Sequence, residues 1–345
     1  PLLDHGVQFL LDGWNYFLYT GDRTPLEEVL PRYLRFAEYL ESIRASDGLL
    51  PVEGLGVPWV WVDFEPCFRK QRHKRCAFNL LVAQALGESL ANVCRLFDRE
   101  KRATRLEQFG KSLLQATREQ HWSPTHRCYV DNLPWIDEEG APRFSDIAIA
   151  RSVLFDQCPD NDDARSLEML ASPPATMGMA YPPNRCWRMW ALARGGNTAP
   201  ILDEFRTLWA ELPSVKLNNT ISETFAAHPD NRSQWSHAAV VPLYIAAMSL
   251  AGIRPRQPGY ARYEIRPQLS DLADLELDVT TPNGAIAFHA FGAKGNRRLK
   301  LKLPSRGDGV LVVDPKEKLP LETTGKSGSY QLPTGRELDL RLRHT

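Results

Sequence analysis

AAVVPLYIAAMSLAGIRPRQPGYARYEIRPQL, residues 238–269, contains the change of period on which the fold turns. Residues 238–251 are apolar almost throughout, which predicts a helix over 236–252 buried on most sides. The run is too short to span a bilayer. Beyond AGIRPRQPGY (251–260) the period becomes two. LELDV (275–279), AIAFHAF (285–291), RRLKLKLP (297–304), VLVVDP (310–315) and ELDLRLR (337–343) alternate apolar with polar. PNG, AKGN and SRGDG supply turns between them. Leu299, Leu301 and Leu303 take one face and the intervening lysines the other, as on a one-sided antiparallel sheet.

Working back from that boundary, the period is helical. In TPLEEVLPRYLRFAEYLESIRAS (24–46) Thr24 has the place of a cap, Pro25 falls in the first turn and Glu27 follows the cap by three. Leu26, Val29, Leu30, Tyr33, Leu34, Ala37 and Leu40 then share one face, and Pro31 predicts a kink or a late start. Further helices are expected near 5–19, 74–97, 100–119, 145–156, 162–171, 184–194 and 199–211. Those at 74–97 and 236–252 are apolar nearly all round, while 100–119 is amphipathic. Alternation of the two kinds predicts concentric layers, an α/α barrel rather than a simple bundle. The expected architecture is mainly α with a β domain: an α/α barrel over 1–253, then a small antiparallel β-sandwich over 254–345.

Composition excludes several classes of function. Lys+Arg and Asp+Glu both number 42, so no bulk field draws nucleic acid or an anionic membrane. The basic run RKQRHKR (69–75) is expected to face solvent. The six cysteines form no CxxC pair and read as buried thiols rather than a disulfide frame or zinc site. The opening PLLDHGVQFLLDGW lacks the marks of a signal peptide. GxSxG, HExxH, P-loop and GxGxxG patterns are absent, and neither metal nor cofactor is expected.

Three loops carry aromatics beside carboxylates. In GVPWVWVDFEP (56–66) an extended chain would put Trp59, Trp61, Asp63 and Glu65 on one face. Indoles beside carboxylates suit a sugar, since rings cover its C–H face while carboxylates accept from hydroxyls. A buried loop whose acids pair with RKQRHKR fits the same residues equally well. In AYPPNRCWRMW (180–190) Trp187 and Trp190 lie three apart, the spacing of core packing, and Tyr181 at the helix entry is the better rim residue. The third loop, TISETFAAHPDNRSQWSH (220–237), leads into the apolar helix and offers Glu223, Trp235 and His237, with His228 in an ordinary turn.

These residues bear a resemblance. SETF (222–225), WSHAAVVPLYIAAMSLAGIRPRQPGYARYEIRPQLSDL (235–272) and DVTTPNGAI (278–286) are similar in order and spacing to the end of the catalytic domain of glycoside hydrolase family 78, the α-L-rhamnosidases. YFLYTGD (16–22), WVDF (61–64) and AFNLLVAQALGESLANV (77–93) follow the family's order upstream. The resemblance implies a six-hairpin (α/α)6 barrel with a C-terminal sandwich and a rhamnose-containing glycoside as substrate. It implies that Glu223 is the general base of an inverting hydrolysis, that His237 binds the sugar, and that Asp63 is the acid of the family's Asp-Trp element. Phe64 stands where that element has Trp, Ser222 where Trp is common, and the interval from Glu223 to His237 is shorter than usual.

The family's general acid lies in an Asp-rich segment before the YTGD helix. Here almost nothing precedes that helix, and about nine expected helices fall short of six hairpins. The expectation is that the first helices and the acid lie outside this chain, or that the site is incomplete. Asp63 or Glu65 as substitute acid is not supported by the resemblance. Two other readings remain: a carbohydrate-binding relative without catalysis, and an inverting hydrolase or phosphorylase for another sugar.

Overall fold

The computed structural model describes residues 2–56, 60–63, 70–226, 236 and 240–344. The helices that periodicity predicts are present with shifted ends. α1 is Leu3–Thr20 and α2 Thr24–Ser42. α3 (Arg75–Gln84) runs through a π-helical turn, Ala85–Leu90, into α4 (Ala91–Leu96). α5 (Glu100–His121), α6 (Ile136–Glu139), α7 (Asp146–Leu154), α8 (Ala164–Ala171) and α9 (Cys186–Arg194) follow. α10 (Ala199–Glu204), with its π turn Phe205–Trp209, leads to α11 (Pro213–Asn218). α12 (Val241–Ile245) ends in a third π turn, Ala246–Leu250.

Local chemistry departs from expectation at three places. α2 begins at Thr24 itself, behind Arg23, which makes no side-chain cap bond, and it passes Pro31 unbroken because that residue lies on the exposed side. α12 is not buried all round: Val240 is 62% and Leu243 74% exposed, while Val241 and Ile245 are buried. An all-apolar helix carries no phase in its sequence, so composition could not say which side faces the core. The basic run also turns partly inward. Lys70, Arg72 and His73 converge on Glu139, whose side chain is 4% exposed. Burial alone would raise the Glu139 carboxyl, but bonds from Lys70, Arg72, His73 and Asn132 hold it well below the usual carboxylate range.

The chain clusters into two compact units, 1–15 with 23–191 and 223–227, and 16–22 with 192–222 and 228–345. In the first, α5 crosses the π turn 85–90 at Gly110 and Gly87, where a Cβ on Gly110 would lie 2.7 Å from the Cα of Gly87. Two short strand pairs also belong to it: β1 (Trp122–Ser123) with β2 (Cys128–Tyr129), and β3 (Phe144–Ser145) parallel to β4 (Met177–Gly178). The described cysteines are free; Cys76, Cys94, Cys128 and Cys158 are buried and Cys186 half-buried.

The second unit holds the strands β5 (Arg254–Pro255), β6 (Arg262–Ile265), β7 (Asp274–Thr281), β8 (Gly284–Ala293), β9 (Asn296–Lys302), β10 (Asp308–Val312), β11 (Ser329–Leu332) and β12 (Glu337–Leu342). One sheet is the antiparallel ladder β12-β9-β8-β7 and the other is β11-β10-β6-β5. One buried cluster draws on both, with Ile286, Phe288, Leu299 and Leu301 from the first and Tyr263, Ile265, Leu311 and Tyr330 from the second. The sheets are not wholly antiparallel, since β6 and β10 pair in parallel. β6 precedes three strands in sequence and meets β10 only after the chain has run through them.

Gly252 closes the last helix. Its φ of +69° is the left-handed conformation of a helix C-terminus, and Ile253 N–H donates to Ala247 O at 3.0 Å. A Cβ there would overlap the Arg266 carbonyl. Gly252→Ala is therefore expected to cost about 3 kcal/mol, from left-handed strain and overpacking together. A thermal midpoint equal to that of the parent chain would refute this. Among the described residues, no helix is long and apolar enough to cross a membrane.

Candidate functional site

The parallel bridge β3–β4 sets the start of α7 beside the segment 177–184. Ser145 caps α7, its hydroxyl accepting from Ala148 N–H at 3.3 Å. Asp146, first residue of the helix, is favoured there by the helix dipole. Its buried carboxylate accepts from Ala180 N–H at 3.0 and 3.1 Å and pairs with Arg185 Nη1 at 3.3 Å.

The same segment reaches the loop at 60–63. Asp63 is fully buried, and its Oδ2 accepts from Tyr181 N–H at 3.1 Å and from Asn184 Nδ2 at 3.4 Å. Asn184 also donates to Val62 O at 2.9 Å. Val62 has φ 50°, a conformation that costs a β-branched residue energy and persists only where its surroundings over-determine it. Asp4, in the first turn of α1, supplies that constraint: its two oxygens accept from Trp61 N–H at 2.9 Å and Val62 N–H at 2.8 Å.

A buried cation from α7, Arg151, stands among these acids as well. Arg151 is 2% exposed, donates from Nη1 to Ala77 O at 2.9 Å and lies 4.9 Å over the Trp187 ring. Burial pulls its pKa down to about 10, against the nearby carboxylates of Asp4, Asp63 and Asp146, which favour the charge. Arg185 in turn lies 5.4 Å over the ring of Phe225, two residues beyond Glu223. Glu223 is half-buried and makes no hydrogen bond or ion pair to another described residue.

Of the residues singled out from sequence, Asp63, Trp61 and Tyr181 therefore join one network, and Glu223 lies on the loop that touches it through Phe225. Trp61 is 9% exposed with its ring edge-on to His5 at 5.4 Å, and Tyr181 is half-buried. Trp187, 2% exposed and edge-to-face with Trp190 at 5.6 Å, packs as its spacing predicted. Trp59, Phe64, Glu65, Trp235 and His237 lie outside the described residues. Asp4, Asp146, Arg151, Asn184 and Arg185 were missed. Ser145-Asp146 at a helix start was a legible cap, but nothing in sequence tied it to residues 180–185. No group of three or more His, Cys, Asp or Glu among the described residues could hold a metal ion.

Solved structures share this architecture. Over 90% of this chain and 33% of that one, it superposes on the glycoside hydrolase family 78 rhamnosidase of Bacillus sp. GL1 with a TM-score of 0.77 and 20% identity. The α-L-rhamnosidase of Dictyoglomus thermophilum matches with a TM-score of 0.76 at 14% identity, over 98% of this chain and 39% of that one. The α-L-rhamnosidase of Streptomyces avermitilis, complexed with L-rhamnose, gives 0.72 at 15% identity, over 96% and 32%. The fold is that of the α-L-rhamnosidases. The chain spans about a third of the length of these enzymes. No family model and no curated protein sequence matches it.

Proposed function

We propose that this chain carries the base side of an inverting α-L-rhamnosidase-type glycoside hydrolase, with Glu223 as general base, 1–253 as part of an (α/α)6-type barrel and 254–345 as a C-terminal β-sandwich. The observation that carries the reading is the division of labour among four carboxylates. Asp4, Asp63 and Asp146 each accept backbone N–H bonds from a loop, whereas Glu223, tethered beside Arg185 through Phe225, is committed to no described partner. An unspent carboxylate on a loop held by a rigid network is what activation of a water requires.

Inverting hydrolysis needs a second carboxyl about 6.5–9.5 Å from the first, protonated toward the leaving oxygen. Asp63 does not suit that task, because its Oδ2 already holds the Tyr181 and Asn184 donors; we assign it to positioning. Trp59, Trp61, Phe64, Glu65, Tyr181, Trp235 and His237 are proposed to contact the sugar, and the chemistry needs no metal or organic cofactor. The test is a panel of p-nitrophenyl glycosides, whose activated leaving group departs with little proton assistance. Turnover is expected for the α-L-rhamnopyranoside, with the inverted anomer seen first by NMR. Turnover of another glycoside in its place, or first release of the retained anomer, would overturn the reading.

A further inference from the structure

The outer face of the sheet β11-β10-β6-β5 carries a groove of about 610 Å³, a volume ordinary for a small-ligand site. Its lining includes Arg256, Arg262, Arg266 and Lys326 but a single carboxylate, Glu264. Glu264 is 10% exposed and is shared by Arg256 at 2.6 Å and Arg266 at 3.3 Å. Arg262 and Lys326 are exposed and make no ion pair with a described residue. Four cations against one acid leave a marked local excess on a chain whose charges otherwise cancel. A second cavity of about 480 Å³ shares Arg266 and is lined by Lys294 together with Asp314, so room for a longer ligand continues past Arg266.

We propose that this groove binds an anionic glycan bearing repeated carboxylates, a polyuronate. Arginine forks held apart by a central acid suit carboxylates in bidentate geometry. The hydroxyl of Thr324 on the same wall suits sugar hydroxyls. The one aromatic residue of the lining, Tyr263, is buried, so the groove lacks the open stacking faces that single-stranded nucleic acids use. The choice of a glycan rests on the hydrolase reading above; the positive groove itself does not.

The experiment is calorimetric titration with hexameric oligogalacturonate, its fully methyl-esterified form and a hexathymidylate, in the parent chain and in R262Q/K326Q. These two side chains anchor no described partner, so the variant keeps Glu264 neutralised and is expected to melt with the parent. The acid oligomer should bind, the ester at least tenfold more weakly, and the variant should lose at least tenfold for the acid alone, while R262K/K326R retains binding. Equal affinity for the ester, or an unchanged affinity in R262Q/K326Q, would overturn the proposal. Hexathymidylate binding as tightly as the uronate would show a general polyanion surface and overturn the glycan. Binding is read without turnover and away from Glu223, so an inactive chain still tests the groove, and an active one that ignores the uronate fails it.

Discussion

Glu223→Gln is expected to lower kcat on p-nitrophenyl α-L-rhamnopyranoside by about 10²–10⁴-fold with KM changed little, the usual contribution of a positioned base. The amide keeps the shape and the capacity to accept a hydrogen bond but cannot take the proton of the attacking water. Because Glu223 makes no bond to another described residue, the thermal midpoint should not move. A comparable loss in kcat produced by melting would contradict this, so both quantities are to be measured on the same preparation. External azide is the sharper probe. A small anionic nucleophile needs no base, and rate restored by azide in the variant is the expected signature. A variant that turns over the rhamnoside at the parent's rate would remove Glu223 from the chemistry.

The second large effect is structural. Arg151→Met should cost about 3–5 kcal/mol in denaturant unfolding, the usual penalty when one side of a buried charge set is removed. The methionine fills much of the volume over Trp187, so what is lost is mainly the charge. Asp4, Asp63 and Asp146 would then lack the Arg151 charge, while Asp146 keeps its ion pair with Arg185 at 3.3 Å. Adding Asp146→Asn should recover part of the loss, a coupling expected of groups in one network. Additive losses, or a cost below about 1 kcal/mol for the single variant, would show that the three acids are balanced without Arg151.

Much of the architecture was legible because it rests on short-range pattern. Alternation in RRLKLKLP is a local property, and Leu299, Leu301 and Leu303 are all buried as it requires. The helices before residue 253 were legible for the same reason. What sequence could not carry were pairings made at long range. β5 and β6 were missed because Pro255, Pro258 and Pro267 interrupt any alternation around them, and β6 gains its identity from β10. Likewise RKQRHKR reads as a solvated face until Glu139 is brought to it from α6.

The site shows the same limit. Asp63 and Tyr181 stood out by their company of aromatic residues, but the contact between them is a backbone N–H bond no side-chain pattern announces. Asp4 and Asp146 fall in the first turns of their helices, where acids are common, and burial, a tertiary property, is what makes anchors of them. Glu223 was singled out by its loop and by resemblance. What the structure adds is the contrast with three acids of the buried network that are already engaged.

The parallel pairing of β6 with β10 bears on the order in which the second unit assembles. β7, β8 and β9 join neighbours through tight turns and can zip as successive hairpins. β6 has only the two-residue β5 beside it until the chain has passed through all three and returned as β10. Contacts of such high sequence separation form late and slowly. The arginine-lined face is therefore expected to form after the β7-β8-β9 hairpins have given the buried cluster its first wall.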